Sequence, residues 1–192
     1  MGYKNINFGP FVYCGEVDNL TIKAVLALCK KNKKLNANHQ LAGHLDNQFN
    51  ININKYMDLI ASWIKEYVLG AEQFYGSQIA TNVTIKSAWV NYMKPREFNP
   101  PHVHTDCHLS SVLFLNVPDL NKEKEKYKGT HHGPGTLEFL YGDERFLNNA
   151  HYSVTPVKGD FYVFPANVRH YVAPFKTKGE RISVSANFLM QK

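Results

Sequence analysis

Arg181-Ile182-Ser183-Val184-Ser185-Ala186-Asn187-Phe188 alternates polar and apolar residues without a break. Successive side chains of a strand point to opposite faces. One face therefore carries Arg181, Ser183, Ser185 and Asn187, and the other carries Ile182, Val184, Ala186 and Phe188. The apolar row needs a cover. The polar row fits either solvent or the lumen of a barrel, and the helices expected upstream need an apolar sheet face to pack on.

Working back from this strand, short β-branched and aromatic runs are separated by Pro/Gly turns at Asn82–Met93, Leu109–Val117, Thr136–Tyr141, Tyr152–Val157, Asp160–Phe164 and Arg169–Ala173. About seven strands at such intervals predict an antiparallel sandwich or small barrel. The first third has the other period. Ile22, Val25, Leu26 and Cys29 stand at i, i+3, i+4 and i+7, with Asp18 or Asn19 as an N-cap, and a second helix begins near Asn54 with Tyr56, Ile60, Trp63, Ile64, Tyr67 and Phe74 on one stripe. Gly70 weakens its later half, and Asn36–Asn54 between the helices is a polar loop with at most one short strand. The expected organisation is one domain over 1–192, with a helical flank (1–80) and a β core (82–190).

A chain of 192 residues, 44% hydrophobic and only 20% charged, can bury a sizeable core, which excludes disorder, coiled coil and collagen-like fibre. No apolar run reaches the roughly 18–20 residues of a membrane span, and the first residues lack a signal peptide's apolar stretch, so the expected location is the cytoplasm with no membrane partner. Cys14, Cys29 and Cys107 are too few and too scattered for a disulfide framework or a C-x-x-C metal site. The net charge of +6 comes largely from Lys30–Lys34 and from Lys122–Lys128, where lysine alternates with glutamate; both read as solvated faces, not as a phosphate track.

The densest chemistry lies in Asn99-Pro100-Pro101-His102-Val103-His104-Thr105-Asp106-Cys107-His108. On an extended strand His102, His104 and Asp106 project to one side, and imidazole with carboxylate suits Fe(II). Downstream, Gly159-Asp160 feeds a strand ending at Phe164-Pro165, His170 follows five residues later, and Arg181-Ile182-Ser183 comes eleven residues after His170.

From Asn82 to Phe188 this order resembles the iron(II)- and 2-oxoglutarate-dependent dioxygenases of the prolyl-4-hydroxylase-like branch. Trp89-Val90-Asn91, Asn99-Pro100-Pro101-His102-Val103-His104 and Leu109-Ser110-Ser111-Val112-Leu113-Phe114-Leu115 are similar to the motifs of small 2-oxoglutarate oxygenases of bacteria and phages. Ser111 replaces the group's usual glycine, and Phe114 a common tyrosine. The resemblance implies a double-stranded β-helix, a jelly-roll, cupin-like barrel flanked by helices. It also implies Fe(II), 2-oxoglutarate as cosubstrate and dioxygen. His170 matches the distal iron ligand, and His104 belongs to the proximal set with either His102 or Asp106. Arg181 matches the anchor of the cosubstrate's distal carboxylate, with Ser183 beside it, and Asn91 or Tyr92 as a further cosubstrate contact.

The implied reaction releases succinate and carbon dioxide while hydroxylating a C–H bond of a protein side chain or small molecule. Asn121–Gly135 is the leading candidate for a lid. Two other readings share the residues: a cupin-like metal-binding barrel without turnover, and an oxidative nucleic-acid demethylase, for which the positive charge is the only support. A carboxylate anchor facing the metal has no use in an inert barrel.

Overall fold

The structure is a computed structural model that describes residues 9–29, 35–129, 133–143, 145–146 and 149–191. In chain order its elements are β1 (Tyr13–Glu16), α1 (Asn19–Leu28), β2 (Gln48–Asn50), α2 (Ile53–Tyr75), β3 (Asn82–Met93), β4 (Asn99–His102), β5 (Leu109–Asn116), α3 (Asn121–Glu125), β6 (Leu137–Leu140), β7 (His151–Val154), β8 (Asp160–Pro165), β9 (Arg169–Val172) and β10 (Arg181–Gln191). They build a six-stranded sheet, β1-β8-β5-β10-β3-β2, and a four-stranded sheet, β4-β9-β6-β7. Every ladder is antiparallel. Among the described residues no ladder joins the two sheets, so the barrel is a jelly roll of two facing sheets and not a closed cylinder.

Both helices start where local chemistry predicts. Asp18 accepts from the amides of Leu20 and Thr21, and Asn52 from that of Lys55, giving two orphan helix N-termini their acceptors. Gly70 does not interrupt α2. It lets Phe11 lie against the helix, since a Cβ there would stand 2.9 Å from the Phe11 ring. Tyr56, Ile60, Ile64, Tyr67 and Ala71 form the buried stripe of α2 and pack with Ile22 and Val25 of α1 onto one face of the six-stranded sheet.

That face includes Ala88, Val90 and Tyr92 of β3 and Val184, Ala186 and Phe188 of β10, all fully or nearly fully buried. Strand parity then turns Arg181, Ser183, Ser185 and Asn187 toward the other sheet, where all four line a cavity. The polar row of β10 therefore faces a lumen. Met93, Phe114, Tyr162 and Phe164 of the large sheet meet Leu137, Phe139, Val154 and Val172 of the small one in a second core at its closed end.

β4 departs from expectation. Tandem Pro100-Pro101 cannot donate to a ladder, and β4 is accordingly an edge strand, held only by β9. It ends at His102, and the chain bends at Asp106, whose φ of 55° is left-handed. Lys30–Lys34 lies outside the described residues. Among the described residues no helix is long and apolar enough to cross a membrane, and the three cysteines are free thiols.

Candidate active site

His102 of β4 and His170 of β9 are direct cross-strand partners, which sets their ring centroids 4.3 Å apart. His104 lies beyond the strand, yet its amide donates to Ala166 O at 2.9 Å, which ties the segment to the turn between β8 and β9. Its ring stacks on that of His170 at 5.1 Å and on that of Trp89 at 5.8 Å. One ligating nitrogen from each of His102, His104 and His170 falls within 4.8 Å of the other two.

The tautomers are set from outside the cluster. His170 Nδ1–H donates to Val168 O at 2.9 Å and His102 Nδ1–H to Pro100 O at 2.7 Å, because a carbonyl only accepts. Both rings therefore keep a lone pair on Nε2. His170 Nε2 must then accept across the 3.3 Å contact with His104 Nε2, so His104 carries the hydrogen there, and a metal ion would take that hydrogen's place. Burial first, and the neighbouring His102 second, lower the His104 pKa to about 4 and that of His170 to about 3. Neutral imidazole is the metal-binding form.

Asp106 is not brought to this cluster. Its side chain is exposed, its left-handed backbone breaks the strand alternation that would have aligned it with His104, and its carbonyl accepts from Lys86 Nζ at 2.6 Å. Tyr92 is likewise turned away. It faces the helices, where its hydroxyl donates to Cys29 O at 2.9 Å, while Asn91 lines the cavity.

Arg181, 3% exposed, enters the same cavity of about 330 Å³. One terminal nitrogen donates to Gly135 O at 2.9 Å, and the guanidinium carbon stands 5.6 Å from the Phe114 ring centroid. Gly135 has φ 68°, and a Cβ there would meet Leu120 at 2.6 Å, so glycine is required where the chain offers this carbonyl. Arg181 Nε is buried and has no hydrogen-bond partner. Burial alone lowers its pKa to about 10, which leaves a charged, under-satisfied guanidinium at neutral pH. No carboxylate lines the cavity among the described residues, while Ser183 does, 3% exposed. This donor set fits a dicarboxylate that reaches from the imidazoles to Arg181.

Against this geometry stand the comparisons. Residues 87–187, just over half of the chain, match the family model described as "Putative 2OG-Fe(II) oxygenase". The chain belongs to the 2OG-Fe(II) oxygenase family. That membership brings Fe(II), 2-oxoglutarate and dioxygen as the oxygenase's reactants. No curated protein matches the sequence. Among solved structures, a Pseudomonas putida prolyl-4-hydroxylase is 19% identical over 94% of this chain and 93% of its own, with a TM-score of 0.62. A viral collagen prolyl hydroxylase from Paramecium Bursaria Chlorella virus-1, in complex with 2OG, is 14% identical over 96% and 98%, with a TM-score of 0.61. A Trichoplax adhaerens prolyl hydroxylase, bound to a hypoxia inducible factor peptide fragment, is 14% identical over 95% and 84%, with a TM-score of 0.58. At these identities the likeness establishes the fold, a double-stranded β-helix.

A polar loop upstream of β2 borders the oxygenase's cavity. Gln40 to Gly43, with Gln48 and Asn50, line it, and the described part of Asn121–Gly135 does not. That stretch instead holds α3, whose Glu123 accepts from the amides of Lys176 and Thr177, while residues 130–132 lie outside the described residues. Gln48 is 1% exposed and donates to Asn91 Oδ1 at 2.8 Å; Asn91 donates in turn to Ser185 Oγ at 3.1 Å. A glutamine in an asparagine-rich loop carries no motif, so only the β2–β3 register, which pairs Gln48 with Asn91, reveals it.

Proposed function

We propose that this oxygenase hydroxylates an unactivated C–H bond of a small molecule or protein side chain, with His102, His104 and His170 holding the iron and Arg181 and Ser183 holding the distal carboxylate of 2-oxoglutarate. The observation that carries the reading is the pairing, in one cavity, of three converging imidazoles with a buried guanidinium whose Nε has no partner. Bound iron(II) and 2-oxoglutarate supply the oxidising chemistry, in which decarboxylation to succinate and carbon dioxide is coupled to hydroxylation of the substrate.

The chain's residues hold, orient and keep dry. The Val168 and Pro100 carbonyls fix Nε2 of His170 and His102 toward the metal. Trp89 against His104 and Phe164 against His170, at 4.8 Å, keep both rings from turning. Arg181 offers a planar fork that suits a carboxylate better than an ammonium does. Phe114 beside Arg181, with Leu137, Phe164 and Val172, gives the cavity its apolar lining. Asn91, steadied by Gln48, is placed to meet the cosubstrate's keto-acid end. Three neutral ligands leave the metal's charge to be balanced by the cosubstrate itself.

Anaerobic titration of the protein with iron(II) and then 2-oxoglutarate tests this. The visible metal-to-ligand charge-transfer band of the ternary complex is the expected result. Iron binding with no response to 2-oxoglutarate would overturn the assignment.

A further inference from the structure

We infer that the oxygenase grips its prime substrate through a neutral N–H or O–H donor, received by the carboxamide oxygens of Gln48 and Asn99; this rests on the function proposed above. Gln48 gives one of its two N–H groups to Asn91, and its Oε1 is buried with no partner. Asn99, first residue of the Asn99–His104 motif, has Oδ1 buried and equally without a partner. Both residues line the cavity that holds the three imidazoles.

Gly43 brings the two amides into one corner. A Cβ on Gly43 would overlap Asn99 Oδ1 and would stand 3.2 Å from Gln48 Nε2 and 2.7 Å from Leu45 Cδ1. A side chain at this position would displace the ends of both amides. A buried carbonyl oxygen without a donor is costly, and native structures seldom keep one without a use. Two such oxygens, on amides that both approach Gly43 in a reaction cavity, mark the place of a ligand's donor.

The sign of the donor follows from the surroundings. Two acceptor oxygens repel a carboxylate, so this corner does not take either end of 2-oxoglutarate. An ammonium or guanidinium would be buried without a partner charge, since no carboxylate lines the cavity among the described residues. Ser87, Ser110, Ser185, Asn50 and Asn187 extend the same neutral, hydrogen-bonding lining. A carboxamide, a backbone N–H or a hydroxyl remains.

Three isosteric probes decide it: propanamide, propanoate and propylammonium, each titrated into the ¹⁵N-labelled full chain with and without zinc(II) as a diamagnetic substitute. Propanamide is expected to shift the side-chain amide signals of Gln48 and Asn99 at millimolar concentration, with the two ions at least tenfold weaker. Gly43→Ala, which fills the corner, and Asn99→Leu, which removes one acceptor, should each weaken propanamide at least tenfold; should one variant not fold, the other carries the comparison. Equal binding of either ion, no shift at any propanamide concentration because water alone satisfies the two oxygens, or variants that bind like wild type would each overturn the subsite. The charge-transfer titration is read separately. Its failure alone removes the oxygenase function and leaves the subsite, and failure of the probes alone does the reverse.

Discussion

Asp106 stands only two residues from His104, yet it is exposed and left-handed while the His104 ring is stacked between Trp89 and His170. Position in a motif is therefore not position in a site. The strand ends at His102, and parity cannot be carried across the bend that follows.

His102→Ala and Asp106→Asn should accordingly differ sharply. Removing an imidazole ligand should lower iron(II) affinity by more than the roughly 10- to 100-fold typical of an outer hydrogen-bond partner. Asp106→Asn, which still tolerates the left-handed backbone, should bind iron like wild type. Metal analysis after dialysis against graded chelator reads both, and a large loss in the asparagine variant would return Asp106 to the ligand set.

The strands that carry the site were legible to different depths. β3 and β10 announce themselves because they are long runs of β-branched, aromatic and small residues, β10 alternating strictly over Arg181–Phe188, and their observed limits, Asn82–Met93 and Arg181–Gln191, match the expected ones closely. β1, β2 and β4 have only three or four residues each, too few for a period, and the two prolines of β4 disguise it further. The choice between Asn91 and Tyr92 needed only one fact absent from the sequence: which face of β3 the helices cover. Gln48 and Gly43 were beyond reach, since Asn91 and Asn99, which they meet across the fold, lie 43 or more residues away and are set by a ladder and a loop closure.

Asn91 and Tyr92 give a paired prediction from that geometry. Tyr92→Phe removes the hydrogen bond to Cys29 O and should cost about 0.5–1.5 kcal/mol of stability, with 2-oxoglutarate affinity unchanged. Asn91→Ala should weaken 2-oxoglutarate binding several-fold, because it empties a position on the lumen face. Denaturant midpoints and ligand titration separate the two effects, and a Tyr92→Phe variant impaired in cosubstrate binding would reverse the assignment of faces.

The two buried imidazoles also set an acid limit on the chelator-treated protein. Burial, reinforced by His102, holds His104 near 4 and His170 near 3, below the ordinary histidine value of about 6.5. The native state thus refuses protons that the unfolded chain accepts below that ordinary value. Their effect on stability is absent above about pH 6.5 and grows as pH falls toward the folded values, by at most about 1.4 kcal/mol per pH unit for each proton. Urea midpoints between pH 7.5 and 4.5 should fall, and the fall should be shallower in His170→Gln. Identical slopes in the two proteins would place the acid sensitivity elsewhere.

Arg181 decides between an oxygenase site and an inert one. Its guanidinium is buried, charged and short of partners, which is unfavourable unless a carboxylate arrives. Arg181→Lys keeps the charge and loses the planar fork, together with the bond to Gly135 O in its present geometry. Hydrogen bonds to charged groups contribute roughly 1.5–3 kcal/mol, so 2-oxoglutarate should bind about ten- to a hundredfold more weakly. Iron affinity should hardly change, because this arginine is not among the three converging residues. Succinate formed without any prime substrate should fall in step with cosubstrate binding, and the amide corner at Gln48 and Asn99 should still take propanamide. A lysine variant that binds 2-oxoglutarate as tightly as wild type would mean that the distal carboxylate is held elsewhere in the cavity, with Ser183 and the lumen row of β10 the next residues to test.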